Sequence, residues 1–208
     1  MLDIERRTYQ LTELRAEEDG KAMRIKGHAA VFNQKSEVIF GFREIVLPGA
    51  FAKSIKKDDV RALWNHEPNF PLGRLKSGTL RLSEDRQGLL SEIDLPDTQV
   101  GRDLYVSIKR GDVDQMSFGF RTISDGWRKE HGETIRELVE VDLFDVSPVT
   151  YPAYPQTDIS ARSYFQSKID LLDQPSAEVI NKRQAFIDRV LNEKQEPNFL
   201  ARLKAAYK

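Results

Sequence analysis

The chain has 208 residues, enough for one domain of ordinary size and an appendage. Charged residues make up 31% of it, yet the formal net charge is only −1, so composition indicates neither a nucleic-acid partner nor a membrane surface. Cysteine is absent, which excludes disulfides, thiol nucleophiles and cysteine-ligated zinc. No apolar run is long enough to span a bilayer, and the first residues lack the apolar core of a signal peptide. We therefore expect a protein that works in a reducing cytoplasm.

Short stretches of β-branched and aromatic residues, separated by turn residues, fill the chain as far as about residue 155. The segment 67–74 contains two prolines and is predicted to be a loop. The predicted strands, in chain order, are 22–32, 42–46, 60–65, 79–82, 88–95, 115–122 and 134–146.

Two short helices interrupt the predicted strands. The first opens at 48–50 and places Phe51 and Ile55 on one face. The second begins after Thr98, a favourable N-cap residue, and ends at Gly111, which readily adopts the left-handed conformation of a helix end. Many antiparallel strands with few helices indicate an α+β fold, mostly antiparallel β and barrel-like.

The composition changes after residue 155. The segments 159–172 and 177–207 are rich in Lys, Glu, Gln, Ala and Leu, which favours helix. We therefore predict two parts, a domain at 1–155 and a helical C-terminal tail at 156–208. Such a tail would pack on the domain, self-associate or dock on a partner.

The predicted strand 115–122 has two unlike faces. Alternation directs Met116, Phe118 and Phe120 to one side, which suits a core. The other side carries the Ser117 hydroxyl beside Gly119, where another backbone could approach closely. A histidine nearby could remove the hydroxyl proton and so make Ser117 a nucleophile. The alternative is that Ser117 is simply a small outward-facing strand residue.

The chain has three histidines, and they differ in setting. His28 lies within a predicted strand and suits a structural position, whereas His131 lies in a polar hairpin turn and is expected to be solvated. His66 ends an apolar strand and enters a loop, where catalytic groups are often presented. His66 is therefore the candidate general base, with a satisfied polar contact as the alternative.

A third residue would orient the imidazole and stabilise its cationic form. Alternation along 139–143 directs Val139, Val141 and Leu143 to the core, so Glu140 and Asp142 share the opposite face. Either acid could reach His66 if this strand lies beside that of Ser117, unless both are merely solvated. Asp145 falls on the Val141 face, where it would need a partner such as an arginine or backbone amides.

Other chemistries find less support. The three histidines have no metal-ligand spacing, and the glycines form no phosphate-binding loop, so we expect neither a metal nor another cofactor. The basic cluster at 53–57 is balanced by Asp58 and Asp59, so no nucleic-acid stripe is predicted.

Five short motifs follow one another between Gly27 and Pro155. They are Gly27-His28-Ala29-Ala30-Val31-Phe32-Asn33, Glu44-Ile45-Val46-Leu47-Pro48-Gly49-Ala50-Phe51, Leu63-Trp64-Asn65-His66 with Pro71-Leu72-Gly73, Met116-Ser117-Phe118-Gly119-Phe120, and Phe144-Asp145-Val146-Ser147-Pro148-Val149-Thr150-Tyr151-Pro152-Ala153. In this order they resemble the prohead (procapsid) maturation proteases of tailed phages, the HK97-type family.

The resemblance implies a serine peptidase with a fold similar to herpesvirus assemblin, a β-barrel ringed by helices. It also implies a nucleophile at Ser117, a general base at His66 and a third residue downstream. The herpesvirus enzymes use a second histidine there, and this chain has none after His131. An acid is the expected replacement, with Glu140 as first choice and Asp142 as second.

The same resemblance implies where the protein acts and on what. The expected partners are the major capsid protein or a scaffold protein, inside the assembling prohead in the host cytoplasm, and self-association is compatible with it. Cleavage of the chain itself, in the region after Pro155, is also implied. Two rival functions are a non-catalytic assembly protein with the same fold and a hydrolase of small esters or amides. The absence of a Gly-x-Ser-x-Gly motif around Ser117 is evidence against the second rival.

Overall fold

The structure is a computed structural model that describes residues 4–8, 14–19, 22–151, 159–174, 178–185 and 188. The helices are α1 (Ser54–Lys57), α2 (Gln99–Arg110) and α3 (Ile159–Asp173). The strands are β1 (Glu5–Thr8), β2 (Arg15–Asp19), β3 (Ala22–Val31), β4 (Arg43–Val46), β5 (Arg61–Trp64), β6 (Glu67–Arg74), β7 (Leu80–Glu84), β8 (Gly88–Asp94), β9 (Gln115–Glu130) and β10 (Glu133–Val149).

The larger sheet is built around the long antiparallel hairpin of β9 and β10. Its strand order is β1-β9-β10-β5-β6, and β4 also pairs with β10. β4 and β5 both run parallel to β10, at different points along its length, whereas β1 runs antiparallel to β9. The strands that carry Ser117 and the expected acids are therefore direct neighbours, and the β5–β6 connection lies beside them.

The smaller sheet is antiparallel and has the order β2-β3-β8-β7. The prediction of an α+β protein made mostly of strands is confirmed. The expected barrel is not confirmed, because the strands of the described residues form two sheets of six and four strands that are not closed on themselves.

The main core lies on the apolar face of β9. Met116, Phe118 and Phe120 are fully buried there, as alternation along the strand predicted. The Phe118 ring lies 4.9 Å from that of Phe120 and 5.4 Å edge-on from that of Phe51, which precedes α1. Burial of these rings fixes the orientation of β9 and so determines where its opposite face points.

Most predicted elements are confirmed, but β1 and β2 were not predicted, and β9 continues to Glu130 beyond the predicted end at 122. Two further differences concern the segment 67–74 and the first helix. The segment 67–74 is a strand, β6, and not a loop. It lies at the edge of its sheet, where the prolines do not have to donate ladder hydrogen bonds on the open side. The first helix begins at Ser54, after turns at 48–53. The caps of α2 are as predicted, with Thr98 accepting from the Gly101 amide and Gly111 left-handed.

The chain divides into two compact units, Met1–Ile169 and Asp170–Lys208. In the first unit, Phe165 and Ile169 of α3 pack with Ile39 and Phe42 in a small apolar cluster. The predicted helix at 159–172 is thus confirmed as α3. In the second unit residues 178–185 are helical, and most of the predicted helix at 177–207 lies outside the described residues. Within the described part of the chain, no helix is both long and apolar enough to cross a membrane.

Candidate active site

Ser117 lies on the face of β9 opposite the aromatic core. Its side chain is completely buried, and its hydroxyl contacts two groups. The Oγ atom lies 2.7 Å from His66 Nε2 and donates a 2.9 Å hydrogen bond to the carbonyl oxygen of Arg7 on β1. The structure therefore brings together the serine and the histidine that the sequence singled out.

His66 is held in place by a tight turn. Asn65 and His66 alone connect β5 to β6, and both have positive φ angles, of 55° and 58°. Such a pair is typical of the two-residue turn that matches the twist of a hairpin, and asparagine tolerates it well. Asn65 is also bound to the end of β10, since its amide donates to the Pro148 carbonyl and its Oδ1 accepts from the Thr150 amide. These contacts fix the backbone that carries the imidazole.

The acid beside His66 is Asp145 of β10. Its Oδ1 atom lies 2.5 Å from His66 Nδ1, and the carboxylate is almost fully buried. The three side chains thus form a continuous series from the Ser117 hydroxyl, through both ring nitrogens of His66, to the Asp145 carboxylate. We call this the catalytic series. A serine, an imidazole and a carboxylate in this order can activate the hydroxyl for nucleophilic attack.

A β-bulge explains why Asp145 is on this face. Leu143 pairs with Phe120, but Asp145 pairs with Gly119, so Phe144 is an extra residue on β10. Without the bulge, Asp145 would lie opposite Phe118 and point into the core. With it, Asp145 lies opposite Gly119 and points to the same side of the sheet as Ser117. Strict alternation along β10 therefore gave the wrong face for Asp145.

Glu140 and Asp142, the expected acids, are not beside His66. The Glu140 carboxylate accepts a 2.6 Å hydrogen bond from Lys53, and Asp142 lies 3.8 Å from Lys57. Both acids are partly exposed. A second bulge lies at Val139, which has no partner of its own in the ladder between Leu138 and Glu140. Val139 is therefore exposed instead of packed in the core. The structure thus brings the Asp145 carboxylate to His66, and it does not bring Glu140 or Asp142 there.

Gly119 and Ser147 also determine where the Asp145 carboxylate lies. A side chain at Gly119 would collide with it, because a Cβ built there would lie 2.3 Å from Asp145 Oδ2. The group that approaches Gly119 closely is therefore this carboxylate, and not a foreign backbone. Ser147 donates a 2.7 Å hydrogen bond to Asp145 Oδ1. Sequence reasoning did not select Ser147, although it lies two residues from Asp145 and so shares its face.

The other two histidines lie apart from the catalytic series. His28 of β3 lies 2.9 Å from the Asp85 carboxylate, with Nε2 as the contacting atom. His131 and Gly132 form the two-residue turn between β9 and β10, with φ angles of 49° and 85°. The prediction of a structural position for His28 and a turn position for His131 is confirmed.

A second buried polar cluster lies on the core side of β1. Arg7, Glu44 and Arg136 are buried, and Glu44 accepts hydrogen bonds from both arginines, at 2.8 Å from Arg7 Nε and 2.9 Å from Arg136 Nη1. Glu5 also pairs with both arginines. Burial alone would raise the pKa of Glu5, but the guanidinium groups of Arg7 and Arg136 outweigh it and hold the pKa below its ordinary value. We call these four residues the ionic cluster.

Residues 10–171 match the family of caudovirus prohead serine proteases. The prohead protease of Enterobacteria phage HK97 is 30% identical to this chain over 158 residues, which are 74% of this chain and 66% of that protein. The chain therefore spans slightly less than two thirds of that relative's length. The solved structure of the bacteriophage T4 capsid assembly protease, gp21, is similar with a TM-score of 0.47 and 11% identity, over 70% of this chain and 96% of that one. Since the family match covers most of the sequence and agrees with the ordered motifs, the chain belongs to the caudovirus prohead serine protease family.

Proposed function

We propose that this chain is a serine endopeptidase of phage prohead maturation, with Ser117 as nucleophile, His66 as general base and Asp145 as the third catalytic residue. The observation that carries the proposal is the catalytic series, in which both nitrogens of one imidazole are bound by a serine hydroxyl and a buried carboxylate. Membership of the prohead protease family supports the same assignment.

The reaction follows from this arrangement. As the Ser117 oxygen attacks a peptide carbonyl carbon, its proton passes to His66 Nε2. The imidazolium then donates that proton to the leaving amine, and an acyl-enzyme ester remains on Ser117. A water molecule attacks the ester by the same route and releases the new carboxyl end. Asp145 accepts from His66 Nδ1 throughout, which fixes the tautomer and stabilises the imidazolium.

The substrates we propose are prohead proteins: a scaffold protein or the scaffold-like region of the major capsid protein, and the chain itself. The HK97 relative is named as a prohead protease, and the family has the same designation. The proposed site of action is the interior of the assembling prohead in the host cytoplasm. The rival candidate is an assembly protein that has the fold but does not cleave.

Co-expression with the cognate major capsid protein tests the proposal. Intact masses of both proteins should show cut products with the wild type and none with Ser117→Ala. Ser124→Ala is the matched control, because Ser124 is an exposed serine of the same strand and its loss should leave cleavage unchanged. Identical masses with the wild type and Ser117→Ala would reject the proposal and favour the assembly protein.

The tail is a separate part of the proposal. We propose that 156–208 includes a segment that is removed by self-cleavage or carries the enzyme into the shell. Because Phe165 and Ile169 pack in the first unit, a deletion should begin at Asp170 to leave that packing intact. Removal of 170–208 should spare cleavage of the capsid protein in solution and prevent incorporation into proheads. Loss of cleavage instead would make the deleted segment part of the peptidase.

A further inference from the structure

The N-terminal strand β1 lies against the nucleophile. It forms the edge of the larger sheet and runs antiparallel to β9, with Thr8 opposite Ser117 and Arg7 opposite Phe118. An extended peptide added to a sheet edge is a common way for a protein to bind a substrate strand. In this register the peptide bond after Arg7 is the one next to the Ser117 hydroxyl.

The contact between β1 and Ser117 opposes catalysis. A serine hydroxyl has one proton, and Ser117 donates it to the Arg7 carbonyl oxygen at 2.9 Å, although His66 Nε2 lies only 2.7 Å from the same oxygen. A proton directed to the carbonyl is not directed to the base. Ser117 is also completely buried, so an incoming peptide has no access to it while β1 is in place.

The Arg7 side chain occupies a site with the opposite charge. Its guanidinium group donates to the fully buried Glu44 carboxylate and lies 5.5 Å from the centre of the Phe120 ring. Arg6, one residue earlier, is exposed. The strand therefore directs one basic side chain into the protein, immediately before the bond that Ser117 faces.

The buried Glu44 carboxylate has two guanidinium partners, and one of them, Arg7, comes from β1. β1 contributes Glu5 and Arg7 to the ionic cluster, and their charges cancel. Without β1, Glu44 keeps only Arg136 of these two partners, and Arg136 also pairs with the partly buried Asp125. A buried carboxylate that loses one of its two cationic partners is less stable, so a peptide that replaces β1 is favoured when it supplies Arg or Lys at the Arg7 position.

We propose that the edge of β9 is the substrate-binding strand, that Glu44 selects a basic side chain immediately before the scissile bond, and that β1 occupies this place in the uncut chain and blocks it. The inference rests on the proposed peptidase function and adds to it the specificity and the block. The substrate class is an extended peptide with Arg or Lys at the position of Arg7, and an acid two residues earlier would reproduce the Glu5 contacts.

Charge reversal in the full chain tests the block. Arg7→Glu places a third carboxylate beside those of Glu5 and Glu44 and should release β1, whereas Arg6→Glu makes the same change at an exposed position. The probes are a fluorophosphonate that labels activated serines and a quenched peptide with the sequence of residues 3–10. If β1 occupies the site nearly all the time, both labelling and kcat/KM should rise at least about tenfold in Arg7→Glu and stay unchanged in Arg6→Glu. A folded Arg7→Glu without this gain, or one that no longer unfolds cooperatively, would make β1 a structural strand and overturn the block.

Glu44→Gln tests the specificity in the released Arg7→Glu background. It should lower kcat/KM for the peptide that keeps Arg at the position of Arg7 by about thirtyfold or more, because one partner of a buried charge pair is lost. It should not lower the rate for the matched peptide with Gln there. Equal losses for both peptides would overturn the role of Glu44. If the capsid protein is cut by the wild type but without preference for basic residues, this inference fails and the proposed function stands; if nothing is cut or labelled in any variant, the proposed function itself fails.

Discussion

The catalytic series and the ionic cluster each include one residue of β10, Asp145 and Arg136, and they differ in how their groups are connected. In the ionic cluster every charged group has at least two partners of the opposite sign. Arg136, for example, pairs with Glu5, Glu44 and Asp125. In the catalytic series each ring nitrogen of His66 has one partner, so the contacts form a line along which a proton can move. Burial of polar groups is common to both clusters, and the pattern of connection distinguishes groups that can pass a proton from groups that hold charged side chains in place.

The largest expected effect is a loss of kcat that distinguishes Asp145 from Glu140 and Asp142. Asp145→Asn keeps the shape of the side chain but removes the charge that fixes the His66 tautomer, so kcat should fall by about 10⁴-fold with little change in the free energy of unfolding. The measurement is kcat for capsid-protein cleavage by purified variants. Glu140→Gln and Asp142→Asn are the matched controls and should leave kcat nearly unchanged, because their carboxylates face Lys53 and Lys57. A large loss in either control would return the role to the acid that causes it.

Ser117, His66 and Asp145 show how much of the candidate site could be predicted from the sequence. Ser117 and His66 follow from a polar residue opposite an apolar strand face and from a histidine at a strand end. Asp145 does not, because the single extra residue Phe144 reverses the alternation, and such a bulge has no clear sequence signal. The two prolines of 67–74 suggested a loop because sequence alone did not show that this segment lies at a sheet edge.

β1 was missed for a similar reason. Glu5-Arg6-Arg7 is a run of charges, which ordinarily indicates a solvated segment. Glu5 and Arg7 are instead paired with Glu44 and Arg136, residues 37 or more positions away in the chain. The segment is a strand because it pairs with β9, which lies far away in the chain.

The second prediction changes the ionic cluster alone. Arg136→Met removes the central cation, which is fully buried, and leaves Glu44 and Glu5 with less compensation, so the free energy of unfolding should fall by about 3–5 kcal/mol. Urea unfolding measures it. Arg128→Met is the control, because Arg128 is partly exposed and its pairs with Glu130 and Glu137 lie near solvent, and it should change stability little.

The pH dependence of stability checks the same cluster. The folded state lowers the pKa of Glu5 below its ordinary value of 4.5, so this carboxylate stabilises the fold above that pH and less so as the pH falls through the lowered pKa. Loss of Arg136 removes part of that lowering. The stability of Arg136→Met should therefore vary less than that of the wild type below about pH 4.5. A variant with the wild-type pH slope would contradict the coupling between Glu5 and Arg136.

The third prediction moves the acid without removing it. Gly119→Ala places a methyl group against Asp145 Oδ2, so the carboxylate must shift away from His66. A displacement of about 1 Å can cost about 100-fold in rate, so kcat should fall by that order while the protein still folds. Gly126→Ala is the control on the same strand, since its nearest neighbour is a Glu137 side-chain oxygen at 3.4 Å, an ordinary contact. Full activity of Gly119→Ala would contradict the prediction that kcat depends on the present position of the Asp145 carboxylate.

The smallest expected effect concerns Ser147, which links the catalytic series to the rest of β10. Its hydroxyl donates to the Asp145 oxygen that also faces His66, so Ser147→Ala leaves the carboxylate charged but less firmly oriented. A hydrogen bond to a charged group contributes about 1.5–3 kcal/mol, and part of it should appear as a fall in kcat of about tenfold with KM unchanged. Ser91→Ala is the control, because Ser91 is equally buried and donates to the Gly27 carbonyl in the smaller sheet, away from the catalytic series. Both variants should lose similar stability in urea, and only Ser147→Ala should lose kcat. If both lost stability and neither lost kcat, Ser147 would contribute to the fold and not to the orientation of the Asp145 carboxylate.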